Sequence, residues 1–493
     1  MGLAIQQESF SEQDYSEFAD CLADSLEQLR AIIRDASFGQ GAKFIGAELE
    51  NYIVDQAGAI KPINQALIDR ANKDNFTVEL NQFNLEINLD PLPLDANCFS
   101  QLQAQLDYYV GYLRRIARMD DAAIVPIGIL PTLQKSHLSK QYMTDCTRYQ
   151  MLSKQLYGLR GEEFQVDICG LEELQVMSDH VGLEGANTSF QYHLMVPHQR
   201  FADAFNITQL TTPFVVALSA NSPILLGQQL WDETRIALFK QSIDSRVRGQ
   251  AQWRQPSRVT FGHGWVREDA WELFAETVAL YPALFPITDA TSQSSGGRHD
   301  WPELAELSLH MGTTWPWNRP VYEPSNGGHV RIEMRAMSSG PSNKDMCANA
   351  AFATGLVYGM LDQAESLLAT IPFRFAEYNF YRAAQNGLDA IVLWPDNSGH
   401  PVEQPIEQVI NSLLPIAEQG LMSIGIAQEE INYYLSIIEQ RMAKRITGAR
   451  WQREALKYFE QYTNRAEACQ KMLLSYMEQQ QTNRPVHQWR RFT

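Results

Sequence analysis

Ile45–Asp55 reads IGAELENYIVD and Val78–Leu89 reads VELNQFNLEINL, and these two stretches decide the fold. The first lies in a strand-like run from Lys43 to Val54, where Glu48 and Glu50 are two residues apart and therefore point to the same face. The second belongs to a unit from Thr77 to Leu89 that reads as two short strands around a turn at Asn81 to Asn84, ended by Pro91 and Pro93. Glu79 and Glu86 would fall on opposite faces of a straight strand; the Asn-Gln-Phe-Asn turn can return both to one side. Two later segments have the same character. In NTSFQYHLMV (Asn187–Val196), Gln191 and His193 share a face. In HVRIEMRAM (His329–Met337), Arg331, Glu333 and Arg335 alternate with Val330, Ile332 and Met334. The apolar alternates want a core, so the charged face is concave or solvated.

Each segment alone has an ordinary reading: a wet strand face, a satisfied strand histidine, a surface ion-pair ladder. Together they gather Glu48, Glu50, Glu79, Glu86, Gln191, His193 and Glu333, which are hard or borderline metal ligands on several strands. Carboxylates that share a face repel unless the face is wet or holds a cation. Magnesium takes oxygen ligands and keeps substrate phosphate or water in its shell, and a nucleoside triphosphate needs such a cation during transfer. Arginine's planar fork suits a transferring phosphoryl group or a substrate carboxylate. Neither a P-loop motif nor a G-x-G-x-x-G turn after a strand is present.

The rest of the chain supplies helices. Ser11 to Ala36 reads as an amphipathic helix capped by Ser11, with Asp14 three residues on. Helices are also predicted over Cys98 to Met119, Gln209 to Ala220, Ala348 to Leu368, Glu403 to Gln419, Gln428 to Ile446 and Arg450 to Gln480. Strands without βαβ alternation point to an α+β fold with a largely antiparallel sheet. The expected division is a catalytic domain over 1–363 and a mainly helical region over 364–493 packed on it. A net charge of −18 argues against nucleic acid or an anionic membrane as partner. The scattered cysteines, without a C-x-x-C pair, read as reduced core residues. No leader-like N-terminus and no long apolar run occur, which places the expected location in the cytoplasm. Ser292 to His299 (SQSSGGRH) reads as a loop and a candidate lid.

The ordered set E-x-E, E-x6-E, Q-x-H, ANSP and IEMR resembles the second glutamate–cysteine ligase family, within the glutamine synthetase-like carboxylate–amine ligases. It runs from about Phe44 to Ala351. HMGTTWPWNRP (His310–Pro320) and ALSANSPILLG (Ala217–Gly227), followed by Arg235, Asp244 and Arg246, are also similar to that family. The resemblance implies a glutamine synthetase-like curved antiparallel sheet forming a funnel flanked by helices, with ATP at one end and amino acids at the other. It implies magnesium (or manganese) held by Glu48, Glu50, Glu79, Glu86, Gln191, His193 and Glu333. Arg335 would stabilise the transferring phosphoryl group and Arg235 would bind substrate carboxylate or phosphate; Arg331, Asn221, Arg246 and His310 would bind substrate or nucleotide. The implied reaction joins the γ-carboxylate of glutamate to an amine, that of cysteine first, through an acyl phosphate. A family ligase using another amine, a guanidino kinase, a metal-dependent hydrolase and a non-catalytic relative remain as alternatives.

Overall fold

The computed structural model describes residues 9–247, 255–288, 301–396 and 398–492. Its centre is an eight-stranded antiparallel sheet built on β1 (Phe44–Asp55). The following strands are β2 (Phe76–Val78), β3 (Asn84–Asn88), β4 (Leu92–Pro93) and β5 (Ala122–Val125). A separate hairpin pairs β6 (Phe164–Cys169) with β7 (Glu173–Ser178), and β8 (Phe190–Met195) returns to the sheet. Short pairs join β9 (Ile224–Leu225) to β10 (Gln228–Gln229), and β11 (Val259–Thr260) to β12 (Trp315–Pro316). Next, β13 (Asn318–Glu323) and β14 (His329–Met334) complete the order β13-β14-β8-β1-β3-β2. β1 is long enough to pair with β3, β4, β5 and β8. Pro91 and Pro93 therefore do not end the unit: the chain runs on as β4, with Leu92 opposite Ile45 at a short edge where proline is tolerated.

Alternation sets the two faces. Ile45, Ala47, Leu49, Leu85, Ile87, Tyr192, Leu194, Val330 and Ile332 are buried in the main core. Against that side pack the helices Cys98–Ala117, Phe201–Ser219 and Asn343–Met360. The Tyr192 hydroxyl lies 2.8 Å from Thr354 Oγ1, fixing the last of these to β8. The opposite face carries Glu48, Glu50, Glu86, His193, Arg331 and Glu333.

The N-terminal helix spans Glu12–Arg34, with a Ser11/Asp14 capping box as predicted. Other elements differ from expectation. The helix predicted from Gln209 starts at Phe201 and is almost wholly buried, so it has no polar stripe to mark its start. Ala348–Leu368 is the helix Asn343–Met360, a 3₁₀ turn and a second helix, Ala364–Thr370. Arg450–Gln480 is two helices, Gly448–Glu460 and Arg465–Gln481, the second capped by the Asn464 side chain. A hairpin of β15 (Ile391–Pro395) and β16 (Pro401–Pro405) precedes the helix Ile406–Ser423.

The C-terminal helices complete a second core. Trp451, Tyr476 and Trp489 cluster with Tyr52, Val54, Phe83 and Val125 of the sheet region. Asn221 joins the two. Its Nδ2 donates to the Ser339 carbonyl (2.7 Å) and the Tyr476 hydroxyl (2.8 Å), and its Oδ1 accepts from Gln452 Nε2 (2.8 Å).

Candidate active site

Register across β3, β1, β8 and β14 brings the separate motifs together. Glu50 lies opposite Glu86, Glu48 opposite Gln191, and His193 opposite Glu333. Two ligand groups result. In one, Glu50, Glu79 and Glu86 have carboxylate oxygens within 4.8 Å of one another; in the other, Glu48, His193 and Glu333 do the same with their ligand atoms. The turn after β2 thus returns Glu79 to the side of Glu86.

The first group is built of oxygen donors, and among the described residues none of its carboxylates makes an ion pair. Burial, then each other's charge and that of Glu50, pushes Glu79 well above the ordinary carboxylate range. Burial, then Glu48 and Glu50, does the same to Glu86. Burial also raises Glu50, against the pull of Arg235 and Arg335. Gln191 is 2% exposed; its Nε2 donates to Glu50 Oε1 (3.0 Å), and its buried Oε1 has no partner. Three crowded carboxylates and an orphaned amide oxygen fit a small divalent cation such as magnesium.

The second group is balanced by arginines. Burial would raise Glu333, but Arg319 and Arg335 hold its carboxyl far below the ordinary range. Arg335 Nη1 donates to Glu333 Oε1, and Arg319 Nε donates to Oε2 at 2.5 Å. Burial would also raise Glu48, and the adjacent His193 outweighs it. Arg331 Nε donates to His193 Nδ1 (3.0 Å), and the other ring nitrogen, Nε2, lies 3.3 Å from Glu48 Oε1. His193 Nε2 makes no hydrogen bond among the described residues, and His193 is one of three residues, with Glu48 and Glu333, whose ligand atoms could hold a cation. Glu48, His193 and Arg331 open onto a cavity of about 420 Å³, also lined by Phe44, Gly46, Asn326 and His329.

Arg335 stands between the groups. Burial opposes its charge, but Glu333, Glu48 and Glu50 more than offset that and raise its pKa. Arg235 is 3% exposed and supports this arrangement from beneath. Its guanidinium donates to Glu233 Oε1 (3.0 Å) and to the carbonyls of Ala336 (3.3 Å) and Arg335 (3.4 Å). Arg235 thus ties down the backbone at Arg335 and Ala336, while its Nε makes no hydrogen bond among the described residues.

Three other predicted binders lie elsewhere. Asn221 is fully buried with its amide used in packing, as described above. His310 is buried in the helix Ala305–Met311 beside Phe18, and burial lowers it to about 4, so it is a neutral core residue. Arg246 makes a two-pronged bond to Asp244, from Nε (2.8 Å) and Nη2 (2.7 Å). The Ser292–His299 loop lies outside the described residues. Sequence reading missed Arg319, which stands inside the quoted HMGTTWPWNRP motif but is paired with Glu333 only by strand register. It also missed Glu184, which sits in the 3₁₀ turn Val181–Ala186 next to the first group and belongs to no periodic pattern.

The family model described as glutamate-cysteine ligase family 2 matches residues 44–479, well past the Ala351 limit of the motifs and through most of the C-terminal helices. A glutamate–cysteine ligase from Francisella tularensis, solved in complex with AMP, aligns with a TM-score of 0.54 at 12% identity, over 90% of this chain and 89% of that one. A bifunctional glutathione synthetase from Pasteurella multocida aligns with a TM-score of 0.44 at 12% identity, over 94% of this chain and 54% of that one. A sequence search of curated proteins finds no match. No helix among the described residues is long and apolar enough to cross a membrane. The antiparallel half-barrel is thus a glutamine synthetase-like ligase fold, and the chain belongs to glutamate–cysteine ligase family 2, a family of ATP-dependent carboxylate–amine ligases.

Proposed function

We propose that this ligase joins the γ-carboxylate of glutamate to the amino group of cysteine, with ATP and magnesium, giving γ-glutamylcysteine. The observation that carries the reading is the placement of Arg335 in the field of both ligand groups, Glu48 and Glu333 on one side and Glu50 on the other. A transferring phosphoryl group belongs at such a point, between a nucleotide end and an acceptor end.

The 420 Å³ cavity beside Glu48 and Arg331 is of the size that holds a nucleoside, and we take it as the ATP end. Glu50, Glu79 and Glu86, with Gln191, would hold a magnesium ion, as would Glu48 and Glu333 with His193. Bound there, the metal supplies charge neutralisation for phosphate oxygens. A γ-carboxylate oxygen of glutamate attacks the γ-phosphorus; the bond to the leaving ADP oxygen breaks, and an acyl phosphate forms. Arg335 donates to the phosphoryl oxygens as charge shifts across them, and Arg319 and Glu333 hold its guanidinium in place. Arg235, through the carbonyls of Arg335 and Ala336, fixes the backbone behind it. The amine nitrogen then attacks the acyl carbon, inorganic phosphate leaves, and the amine gives up a proton. Most of the acceleration comes from positioning and preorganised charge. With ATP as co-substrate, we take its location to be the cytoplasm.

The test is phosphate release from ATP and magnesium with glutamate, adding cysteine and then a panel of other amino acids and amines. Release that requires both glutamate and cysteine is the expected result. Release with another amine would keep the mechanism and change the second substrate. Release without ATP-dependent joining, or none with any pair, overturns the proposal.

A further inference from the structure

The cavity at the ATP end has a wall that neither the metal groups nor Arg335 uses. Strand register sets out its rows. Beyond the row of Glu333 and His193, Arg331 of β14 stands opposite Met195 of β8, and beyond that Glu323 of β13 stands opposite His329 of β14. Arg331, Met195, Glu323 and His329 all line the 420 Å³ cavity. At about 3.3 Å per residue, the row of Glu323 and His329 lies about 13 Å along the sheet from Glu333. On the ligase reading, a nucleotide with its γ-phosphate at Arg335 lays its phosphate chain over the Glu333 and Arg331 rows and brings its sugar toward the last one.

Glu323 is held in place with one oxygen and offers the other. Its Oε1 accepts from the Ser325 backbone amide at 3.2 Å, while its Oε2 stays 3.8 Å from Arg331 Nη1, beyond hydrogen-bond reach. The turn that follows it is clamped from outside. Gly39 N donates to the Gly328 carbonyl (3.1 Å) and Trp301 Nε1 donates to the Gly327 carbonyl (3.1 Å). A Cβ at Gly328 would lie 2.5 Å from Trp301 and 2.6 Å from Phe38, so the turn has no slack on that side. An ionised carboxylate only accepts hydrogen bonds, so Glu323 cannot hold phosphate oxygens. The paired donors that a nucleotide offers are its ribose hydroxyls, which acidic residues also take in dinucleotide-binding folds.

We infer that Glu323 recognises the ribose of ATP, its carboxylate accepting hydrogen bonds from the 2′- and 3′-hydroxyls, and so selects a ribonucleotide over a 2′-deoxyribonucleotide. This rests on the ligase reading above and on the ATP end assigned there, and adds the residue that chooses the sugar.

Hydroxylamine serves as the acceptor in the test, because at high concentration it traps an acyl phosphate as the hydroxamate and makes the readout independent of the second amino acid. The unmodified full chain should prefer ATP to 2′-deoxy-ATP by about 10- to 100-fold in kcat/KM. In Glu323→Ala that preference should fall to within about threefold, through a loss with ATP, and the KM for glutamate should stay within about twofold. Any change at the neighbouring Arg331 reaches the phosphates of both nucleotides alike, so the ratio isolates the sugar. Glu323→Gln keeps an acceptor oxygen and should retain part of the preference. Melting-temperature shifts with magnesium and either nucleotide, without amino acids, should show the same pattern with no turnover. Equal use of the two nucleotides by the unmodified chain overturns the inference. So does a preference that survives in Glu323→Ala, including the case where the variant changes only the choice between ATP and GTP, which would give Glu323 the base. If ATP neither raises the melting temperature of the unmodified chain nor yields hydroxamate, the ligase reading falls first and takes this inference with it.

Discussion

Glu86→Gln separates what the carboxylates do to stability from what they do in turnover. Both well-placed hydrogen bonds that Glu86 accepts, from Thr77 Oγ1 (3.1 Å) and Asn88 Nδ2 (3.0 Å), end on Oε1. A glutamine keeps both on its carbonyl oxygen and converts the other end into a donor toward Glu50 or Glu79. The lost charge is one that burial, then Glu48 and Glu50, already disfavours. The variant should therefore stabilise the metal-free protein by about 1–3 kcal/mol, a rise on the order of 1–3 °C for a chain of this size. The pH dependence has a definite sign. Unfolded glutamates release their protons near 4.5, while folded Glu79 and Glu86 keep theirs to higher pH. Between those limits the folded chain binds more protons, so metal-free stability is greatest below the unfolded value and falls as pH rises through the folded ones. Glu86→Gln removes one such group and should flatten that fall. Thermal melts in EDTA from about pH 5 to about pH 8 read this directly. Magnesium should raise the melting temperature of the unmodified chain and move the variant less. Turnover of the variant should drop by about a hundredfold. A variant that melts lower at every pH without metal, or that keeps full turnover, would refute the reasoning.

Arg335→Lys keeps the charge and loses the fork, so hydroxamate formation should fall by about 10²–10³ with the KM for ATP within about threefold; an unchanged rate would remove Arg335 from phosphoryl transfer. Asn221→Ala leaves the Tyr476 hydroxyl, the Ser339 carbonyl and Gln452 short of a buried partner, and should destabilise the chain by about 2–4 kcal/mol with the KM for ATP and glutamate unchanged. A raised KM at an unaltered melting temperature would return Asn221 to the binding site. His310→Gln should leave both KM values within about twofold, since its ring faces Phe18 and the Thr277 carbonyl; steady-state kinetics decide it. Gly355→Ala would put a methyl 2.4 Å from the Ala417 carbonyl oxygen and force apart the helices Asn343–Met360 and Ile406–Ser423. A melting-temperature loss matching about 1–3 kcal/mol is expected, with kinetic constants unmoved.

What the sequence discloses, and what it hides, follows from which order the physics lives in. Strand alternation is local, so Glu48 with Glu50, Gln191 with His193, and Arg331 with Glu333 could be placed on faces from spacing alone. Pairing between strands is not local. Nothing in HMGTTWPWNRP says that Arg319 meets Glu333, and that contact exists only because β13 and β14 run antiparallel in this register. Glu184 is hidden for a second reason: a short 3₁₀ turn has no repeat long enough to read. Motif position misled in the opposite sense for Asn221 and His310. Both stand in stretches similar to the family, yet both are below 3% exposed; Asn221 spends its amide on packing, and His310 has Nε2 near the Thr277 carbonyl. Arg235 lies between these cases, since it is buried like them yet ties the backbone of Arg335 at the site.

The same distinction explains why the C-terminal helices belong to the catalytic unit's support. Their amphipathic pattern shows a buried face, and sequence alone cannot say against what. The structure answers with particular bonds. Tyr476 and Gln480 reach the Pro126 carbonyl at 3.0 and 2.6 Å, Gln480 reaches the Pro341 carbonyl at 2.8 Å, and Asn221 links Tyr476 to Ser339. Ser339 in turn donates from its hydroxyl to the Glu50 carbonyl at 2.7 Å. A buried chain of hydrogen bonds therefore runs from the last long helix to the backbone of a proposed metal ligand. Loosening that helix should loosen Glu50, although the helix carries no chemistry of its own.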